Sequence, residues 1–256
     1  MGVLVSPLLA PMIGGVVAHF FGWHACYIFL LLLGGSVLFS MYHWMPETRP
    51  VQAERRSMLS SFYLLLSNST FSAFLIMLIC ALSGIAVFEA SSGVLMGGVL
   101  GLNSITISIL FILPIPAAFF GAWYAGREGK TFVQLMWHSV FCCVAAGILM
   151  WLPGWLNIIN IWTLLVPAAL FFFGAGMLFP LATTGAMEPF PYLAGAAGAL
   201  VGGLQNVGSG IATWFSALLP QHNQFSLGMI MFIMSVAIML CWIPLSHRFS
   251  HQQNTV

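Results

Sequence analysis

One acidic residue lies deep inside an apolar stretch of the chain, where its carboxyl group could carry a proton or attract a cation. This residue is Glu89, in the segment IAVFEASSG. An ionised carboxylate in hydrocarbon costs about 3 kcal/mol or more, so the group should face a polar cavity or be protonated. The alternative is a neutral carboxyl group that is hydrogen-bonded to a neighbouring helix.

Two aromatic residues further along the chain could hold flat, apolar or cationic compounds. Trp162 and Phe173 are separated by about three helical turns, so they share a helix face with Ala169 and Gly176. Aromatic rings on a cavity wall bind such compounds by stacking and by cation–π attraction. Aromatic residues in membrane helices also pack or face lipid, and Trp162 could instead be an anchor at the membrane interface.

Two amide side chains follow in the glycine-rich segment GGLQNVGSG. Gly198, Gly202, Asn206 and Gly210 recur every four residues and form one small-residue face. This spacing favours close helix packing, with the Asn206 amide bonding across the contact. Gln205 points to a different face and could reach a cavity.

Other kinds of chemistry are not indicated. The five cysteines form no CxxC pair, and the seven histidines show no metal-ligand spacing, so we expect no metal site. The GKT at 129–131 lacks the earlier glycine of a phosphate-binding loop, because Tyr124 occupies that position. No nucleophile–base constellation is present either. We therefore expect no cofactor and no enzyme.

The composition places the chain in a lipid bilayer. Hydrophobic residues make up 61% of the sequence and charged residues 4%, whereas a soluble domain carries about a quarter charged residues. The net charge of +1 gives no reason to expect a nucleic-acid partner. The sequence predicts an all-α integral membrane protein.

Apolar runs of membrane-spanning length predict eight helices, cut at turn and charge signals. The predicted spans are 3–19, 25–45, 71–98, 103–125, 132–152, 158–183, 193–219 and 226–245. In this arrangement all 6 basic residues fall on one side of the membrane. Basic residues concentrate in cytoplasmic connections, so the C-terminus is predicted to be cytoplasmic.

The segment SPLLAPMIGG, residues 6–15, resembles a known motif. Drug–proton antiporters of the major facilitator superfamily carry Gly-x8-Gly-x3-Gly-Pro-x2-Gly-Gly on their fifth helix. Pro11, Gly14 and Gly15 match this motif directly, while Ser6 and Ala10 stand at two of its glycine positions. Small residues let two helices approach closely, and a proline adds a bend.

A second motif of the same superfamily resembles the segment AGREGK at 125–130. Arg127, Gly129 and Lys130 fit the cytoplasmic loop motif Gly-x3-Asp-Arg-x-Gly-Arg-Lys, whereas Gly126 replaces its acid and Ala122 its first glycine. In the superfamily this loop braces neighbouring helix ends by charge pairing.

Glu188 ends another predicted span on the same side of the membrane as Arg127, so the resemblance implies that Arg127 approaches it.

Further segments extend the resemblance over nearly the whole chain. Pro46-Glu47-Thr48 resembles the end of the sixth helix in such transporters. GAGMLFP at 174–180 resembles the tenth helix of the Bcr/CflA-type drug-resistance branch.

The resemblance implies a partial major facilitator fold that supplies helices five to twelve of twelve. Residues 1–45 would be the last two helices of the N-terminal half, and 46–70 a cytoplasmic linker. Residues 71–245 would form the complete six-helix C-terminal half, and 246–256 a cytoplasmic tail.

It also implies a function for the full-length form, which is export of amphipathic or cationic drugs in exchange for protons by alternating access. The expected setting is the bacterial inner membrane, and the expected full-length state is a monomer. The candidate proton and substrate path consists of Glu89, Trp162, Phe173, Gln205 and Asn206. The alternative is a truncated membrane remnant or membrane partner protein that does not transport.

Overall fold

The structure is a computed structural model that describes residues 13, 17, 20–45, 57–127 and 129–253. Every regular element among these residues is helical, as predicted. The α-helices are α1 (Trp23–Trp44), α2 (Met58–Ser67), α3 (Ser69–Val94), α4 (Ser104–Ile112), α5 (Ile115–Ala125), α6 (Phe132–Trp155), α7 (Ile161–Met187), α8 (Ala194–Leu218) and α9 (Phe225–Gln253). A π-helical turn at Leu95–Val99 continues α3, and a 3-10 turn at Pro191–Leu193 precedes α8.

The chain divides into two units, residues 1–55 and 56–256. The first unit contains α1, and none of its described side chains is buried. The motif residues Ser6, Ala10, Pro11, Gly14 and Gly15 lie outside the described residues.

Six helical segments among the described residues are long and apolar enough to cross a membrane. They are His24–Trp44, Ser69–Val99, Thr106–Ala125, Phe132–Trp155, Ile161–Met187 and Phe225–Phe249. Helix α8 has 25 residues, but its glycine and amide residues make it less apolar than these six. The predicted span 3–19 falls almost entirely outside the described residues. The all-α membrane fold is confirmed.

The structure departs from the predicted spans in three main ways. The predicted helix 103–125 is interrupted at residues 113–114, because Pro114 has no backbone N–H to continue the ladder. Helix α2 lies within the predicted linker 46–70. Helix α9 continues beyond residue 245 to Gln253.

The second unit is organised around α3 and α7. Helix α3 contacts α7, α8 and α9, while α7 also contacts α5 and α6. Glycines bring the backbones together at several of these contacts. A Cβ on Gly176 would lie 2.2 Å from the carbonyl oxygen of Ala118, and one on Gly121 would lie 2.1 Å from that of Phe173. Helices α5 and α7 therefore touch through their backbones.

A buried amide joins three helices at the end of the bundle where α7 and α9 begin. Gln224 is fully buried, and its Nε2 donates to the carbonyl oxygen of Met150 at 2.9 Å. Its Oε1 accepts from the Thr163 hydroxyl at 2.8 Å. Both ends of the amide are thus satisfied, as a buried polar group requires. These bonds fix the start of α9 against α6 and α7.

The glycine contact between α5 and α7 generates a stability prediction. Gly176→Ala places a methyl group against the Ala118 carbonyl, and such overpacking costs about 1–3 kcal/mol. Gly203→Ala is the matched control, because nothing lies within 4 Å of its added Cβ. We expect the first variant to unfold at a lower dodecyl sulfate fraction than the native chain, and the second at an equal or higher one. Unfolding is measured by circular dichroism. Equal unfolding midpoints for the two variants would contradict a close contact at Gly176.

Candidate functional site

Glu89 lies on α3 with its side chain exposed, although the preceding residue Phe88 is buried. The span that carries it, Ser69–Val99, holds no other acidic residue. No ion pair or hydrogen bond joins Glu89 to another described residue. The alternative of a carboxyl group bonded to a neighbouring helix is therefore not realised in the described part of the chain.

A buried hydrogen bond connects α3 to α8 two residues beyond Glu89. The hydroxyl groups of Ser91 and Ser216 are 2.9 Å apart, and both side chains are buried. Ile79 on α3 also touches Gly208 on α8. The two contacts follow the same order along both helices, so α3 and α8 run in the same direction.

This register separates Glu89 from the amide pair. A helix rises about 1.5 Å per residue, so Glu89 lies only about 3 Å along the axis from the Ser91–Ser216 contact. Gln205 and Asn206 lie about 15 Å along the axis from the same contact, also toward the N-terminal ends of the two helices. The axial distance between the carboxyl group and the amides is thus about 12 Å, and the structure does not bring them into contact.

Helix α8 exposes two faces of different character. The first, which we call the polar face of α8, consists of Asn206, Gly210, Thr213 and Ala217. Asn206 donates to the Gly202 carbonyl at 2.7 Å, and Thr213 to the Ser209 carbonyl at 2.8 Å. Each of these two side chains thus makes one hydrogen bond within the helix.

The second face of α8 is apolar, with large exposed side chains. We call it the apolar face of α8, and it consists of Val207, Ile211, Trp214, Phe215 and Leu218. Gln205 is half-buried on neither of these faces, but on the side of α8 that carries the buried Ser209, Ala212 and Ser216. Large apolar groups on a spanning helix suit contact with lipid, whereas small and polar groups suit a water-filled path or another helix.

The small-residue face predicted for close packing is open in the described residues. A Cβ added to Gly202 or Gly210 would meet nothing within 4 Å, and Asn206 bonds within its own helix instead of across a contact. The close helix packing expected from the four-residue spacing is not observed there. Gly208, which does pack closely, lies on the side of α8 that touches Ile79 of α3.

The predicted aromatic face of α7 lies in two environments. Trp162 is the second residue of α7 and is 71% exposed, a position that suits the interfacial alternative. Phe173 lies near the middle of the helix, half-buried, with its ring centroid 6.1 Å from that of Tyr124. Gly176 is buried against α5. The role of Trp162 and Phe173 in a substrate path stays a prediction.

The cations of the loop motif rest on aromatic residues at the end of α5. The Arg127 guanidinium carbon lies 4.5 Å from the ring centroid of Trp123, and Lys130 bonds the Tyr124 hydroxyl. Gly129 has a φ of 101°, which favours glycine. The aromatic pair directly before AGREGK was the sequence signal for these contacts.

The expected approach of Arg127 to Glu188 is not seen as an ion pair. The structure has no salt bridge between them within its described residues, and both side chains are exposed. Their approach at longer range stays a prediction.

Comparison with known proteins assigns this bundle to a class. Residues 1–213 match the model of the Major Facilitator Superfamily. The chain belongs to this superfamily of membrane transporters, which confirms the family resemblance and agrees with the expectation of a transporter rather than an enzyme.

Two relatives carry drug-resistance names. The chain is 65% identical over 256 residues to Multidrug resistance protein D of Escherichia coli (strain K12), covering 100% of this chain and 65% of that protein. It is 22% identical over 211 residues to the Bicyclomycin resistance protein homolog of Haemophilus influenzae, covering 79% of this chain and 52% of that protein.

A solved structure, the multidrug transporter EmrD from Escherichia coli, is 66% identical in sequence. The match covers 95% of this chain and 65% of the solved chain, with a TM-score of 0.27. The present chain spans 65% of the length of both E. coli proteins.

The Ser91–Ser216 hydrogen bond can be tested by a double-mutant cycle. Interhelical hydrogen bonds in membranes contribute about 0.6 kcal/mol on average, and up to about 1.7. We expect Ser91→Ala and Ser216→Ala to show a coupling energy in this range when unfolding is followed in dodecyl sulfate. The control cycle pairs Ser91→Ala with Ser235→Ala, since the Ser235 hydroxyl bonds to Cys143 and Met231. Equal coupling in both cycles would contradict a specific bond.

Proposed function

We propose that the full-length form of this protein is a secondary active transporter that exports amphipathic or cationic drugs in exchange for protons. The observation that carries the proposal is the 65% identity, across the entire chain, to a protein named for multidrug resistance. Identity of this extent preserves the pattern of membrane helices, so the exporter function is the simplest one to carry over.

Glu89 is the residue proposed to couple protons to transport. It lies on a spanning helix with its side chain exposed and without an ion-pair partner among the described residues. In an apolar environment its neutral form is favoured, and access to water from one side allows a proton to leave. Alternating access would present the carboxyl group to the two sides of the membrane in turn.

The drug would be held by aromatic and amide groups along the same path. The half-buried ring of Phe173 and the side chains of Gln205 and Asn206 offer stacking and hydrogen bonds. Trp162 would meet drugs near the membrane interface. A carboxylate about 12 Å away along the axis adds longer-range attraction for cations, because charges in low dielectric interact over such distances.

The proposed setting is the bacterial inner membrane, with the C-terminus in the cytoplasm. The distribution of basic residues supports this orientation. We also propose that the full-length protein acts as a monomer, with a single path between its two halves.

A second candidate is a membrane protein that does not transport. The observation that favours it is that α1 buries none of its described side chains, while the chain spans 65% of its E. coli relative. Expressing the 256-residue chain by itself tests this second candidate. Export by this chain would contradict it, and no export by either this chain or a longer form would favour it over the exporter proposal.

The coupling role of Glu89 can be tested by dye efflux. A chimera joins this chain to the part of the E. coli relative that the match leaves uncovered, in cells lacking their own multidrug exporters. One charge moved across 100 mV is worth about 2.3 kcal/mol, roughly a fiftyfold accumulation ratio. Glu89→Gln should therefore abolish uphill export of cationic dyes while leaving the binding of neutral drugs intact.

The matched control is Glu54→Gln, which removes an acid of the predicted linker 46–70 and should keep most of the export. If Glu89→Gln exports like the unmodified chimera, Glu89 has no coupling role. If the unmodified chimera itself fails to export, the exporter proposal fails.

A further inference from the structure

A cavity of about 410 Å³ opens between α3 and α9, at the end of the bundle where α3 begins and α9 leaves its apolar span. Its walls include Ser69, Ser72 and Ile76 from α3, and Leu240, Pro244 and Arg248 from α9. None of these residues belongs to the candidate transport path.

The residue types on the two helices explain why this space exists. Helix α3 begins with small side chains, and Ser69 and Ser72 line the opening. On α9, Pro244 lies inside the helix and cannot donate a backbone hydrogen bond to the carbonyl of Leu240. Sharp kinks in helices commonly occur at prolines of this kind.

The rim of the cavity carries the Arg248 cation, which makes one side-chain hydrogen bond within the described part of the chain. The Arg248 Nη1 donates to the Ser69 hydroxyl oxygen at 3.1 Å. A guanidinium has five N–H donors, so several stay available for an anion beside this bond. The Ser69 hydroxyl accepts from Arg248 and keeps its own proton to donate, whereas the Ser72 hydroxyl already donates to the Leu66 carbonyl at 2.7 Å.

The wall below the rim is apolar and open to the outside of the bundle. Ile76 is 44% exposed and Leu240 is 60% exposed. At about 1.5 Å per residue, they lie about 10 Å and 12 Å along their helices from Ser69 and Arg248. The cation therefore lies at the level of lipid headgroups, and the apolar wall extends to the level of acyl chains.

We propose that this cavity binds one anionic phospholipid. Its phosphate accepts hydrogen bonds from Arg248 and Ser69, and one acyl chain lies along Ile76 and Leu240. A basic pocket between membrane helices on the cytoplasmic side suits an anionic headgroup. A free phosphate would use the rim but leave the apolar wall bare. The site goes beyond the proposed function, because it takes part in neither drug binding nor proton transfer.

Native mass spectrometry of the delipidated 256-residue chain in detergent tests this site. The probes are phosphatidylglycerol, zwitterionic phosphatidylethanolamine and inorganic phosphate. We expect one tightly retained phosphatidylglycerol per chain, weaker retention of phosphatidylethanolamine, and no displacement by inorganic phosphate. Arg248→Gln should weaken phosphatidylglycerol binding about fivefold, the contribution of a single basic residue near an anionic membrane.

Three further variants make the result specific. Arg127→Gln removes a cation that stacks on Trp123 and should leave binding unchanged. Arg248→Lys keeps the charge and should retain most of the affinity. Ser72→Leu fills the cavity without altering the cation and should also weaken binding.

The proposal is overturned if Arg127→Gln and Arg248→Gln weaken binding equally, because general surface charge would then explain it. Equal retention of the two phospholipids, or displacement by inorganic phosphate, would also overturn it. A failure of drug export in the chimera leaves these measurements unaffected.

Discussion

The bundle depends on close backbone contact between helices in an apolar solvent. Lipid tails are as apolar as leucine, so helices gain little from hiding apolar side chains from them. Contact at backbone distance replaces that driving force, as between α5 and α7 at Gly121 and Gly176. On the other side of the unit, Gly154 and Gly228 bring α6 and α9 together in the same way. These contacts determine which helix faces pack against other helices and which stay exposed.

The open faces are where a transport function would have to act. Helix α8 packs on α3 through Gly208 and the Ser91–Ser216 hydrogen bond, so its polar face and its apolar face both point away from α3. Many hydroxyl and amide groups on the described membrane helices bond to a carbonyl of their own helix or of a neighbour, whereas the buried polar atoms of Ser83, Ser92, Trp151 and Trp242 have no partner among the described residues. Glu89 differs, because it is an exposed acid without such a partner among the described residues. A water-filled path next to it would remove the cost of its charge.

The sequence was enough to predict the helical membrane fold, the approximate spans and the isolated position of Glu89, because hydropathy and charge are local properties. Pro114 could have predicted the break between α4 and α5. The prediction missed the break because residues 103–125 have the length of a single membrane-spanning helix. The Ser91–Ser216 bond joins residues far apart in the chain, and the burial of Gln224 in the loop QHNQ follows only from the packing of three helices. Four-residue glycine spacing marks a face but does not say whether a helix covers it, which is why Gly202 and Gly210 proved open.

The central claim is that the polar face of α8 borders a water-filled path while its apolar face borders lipid. Gly210 and Ile211 are adjacent, equally deep in the helix and both exposed, but they belong to different faces. The most direct test places a single cysteine at either position in a cysteine-free chimera and measures its reaction with a membrane-impermeant maleimide in vesicles. The account predicts rapid labelling of Gly210→Cys and little labelling of Ile211→Cys. Equal labelling of the two positions, or faster labelling of Ile211→Cys, would contradict it.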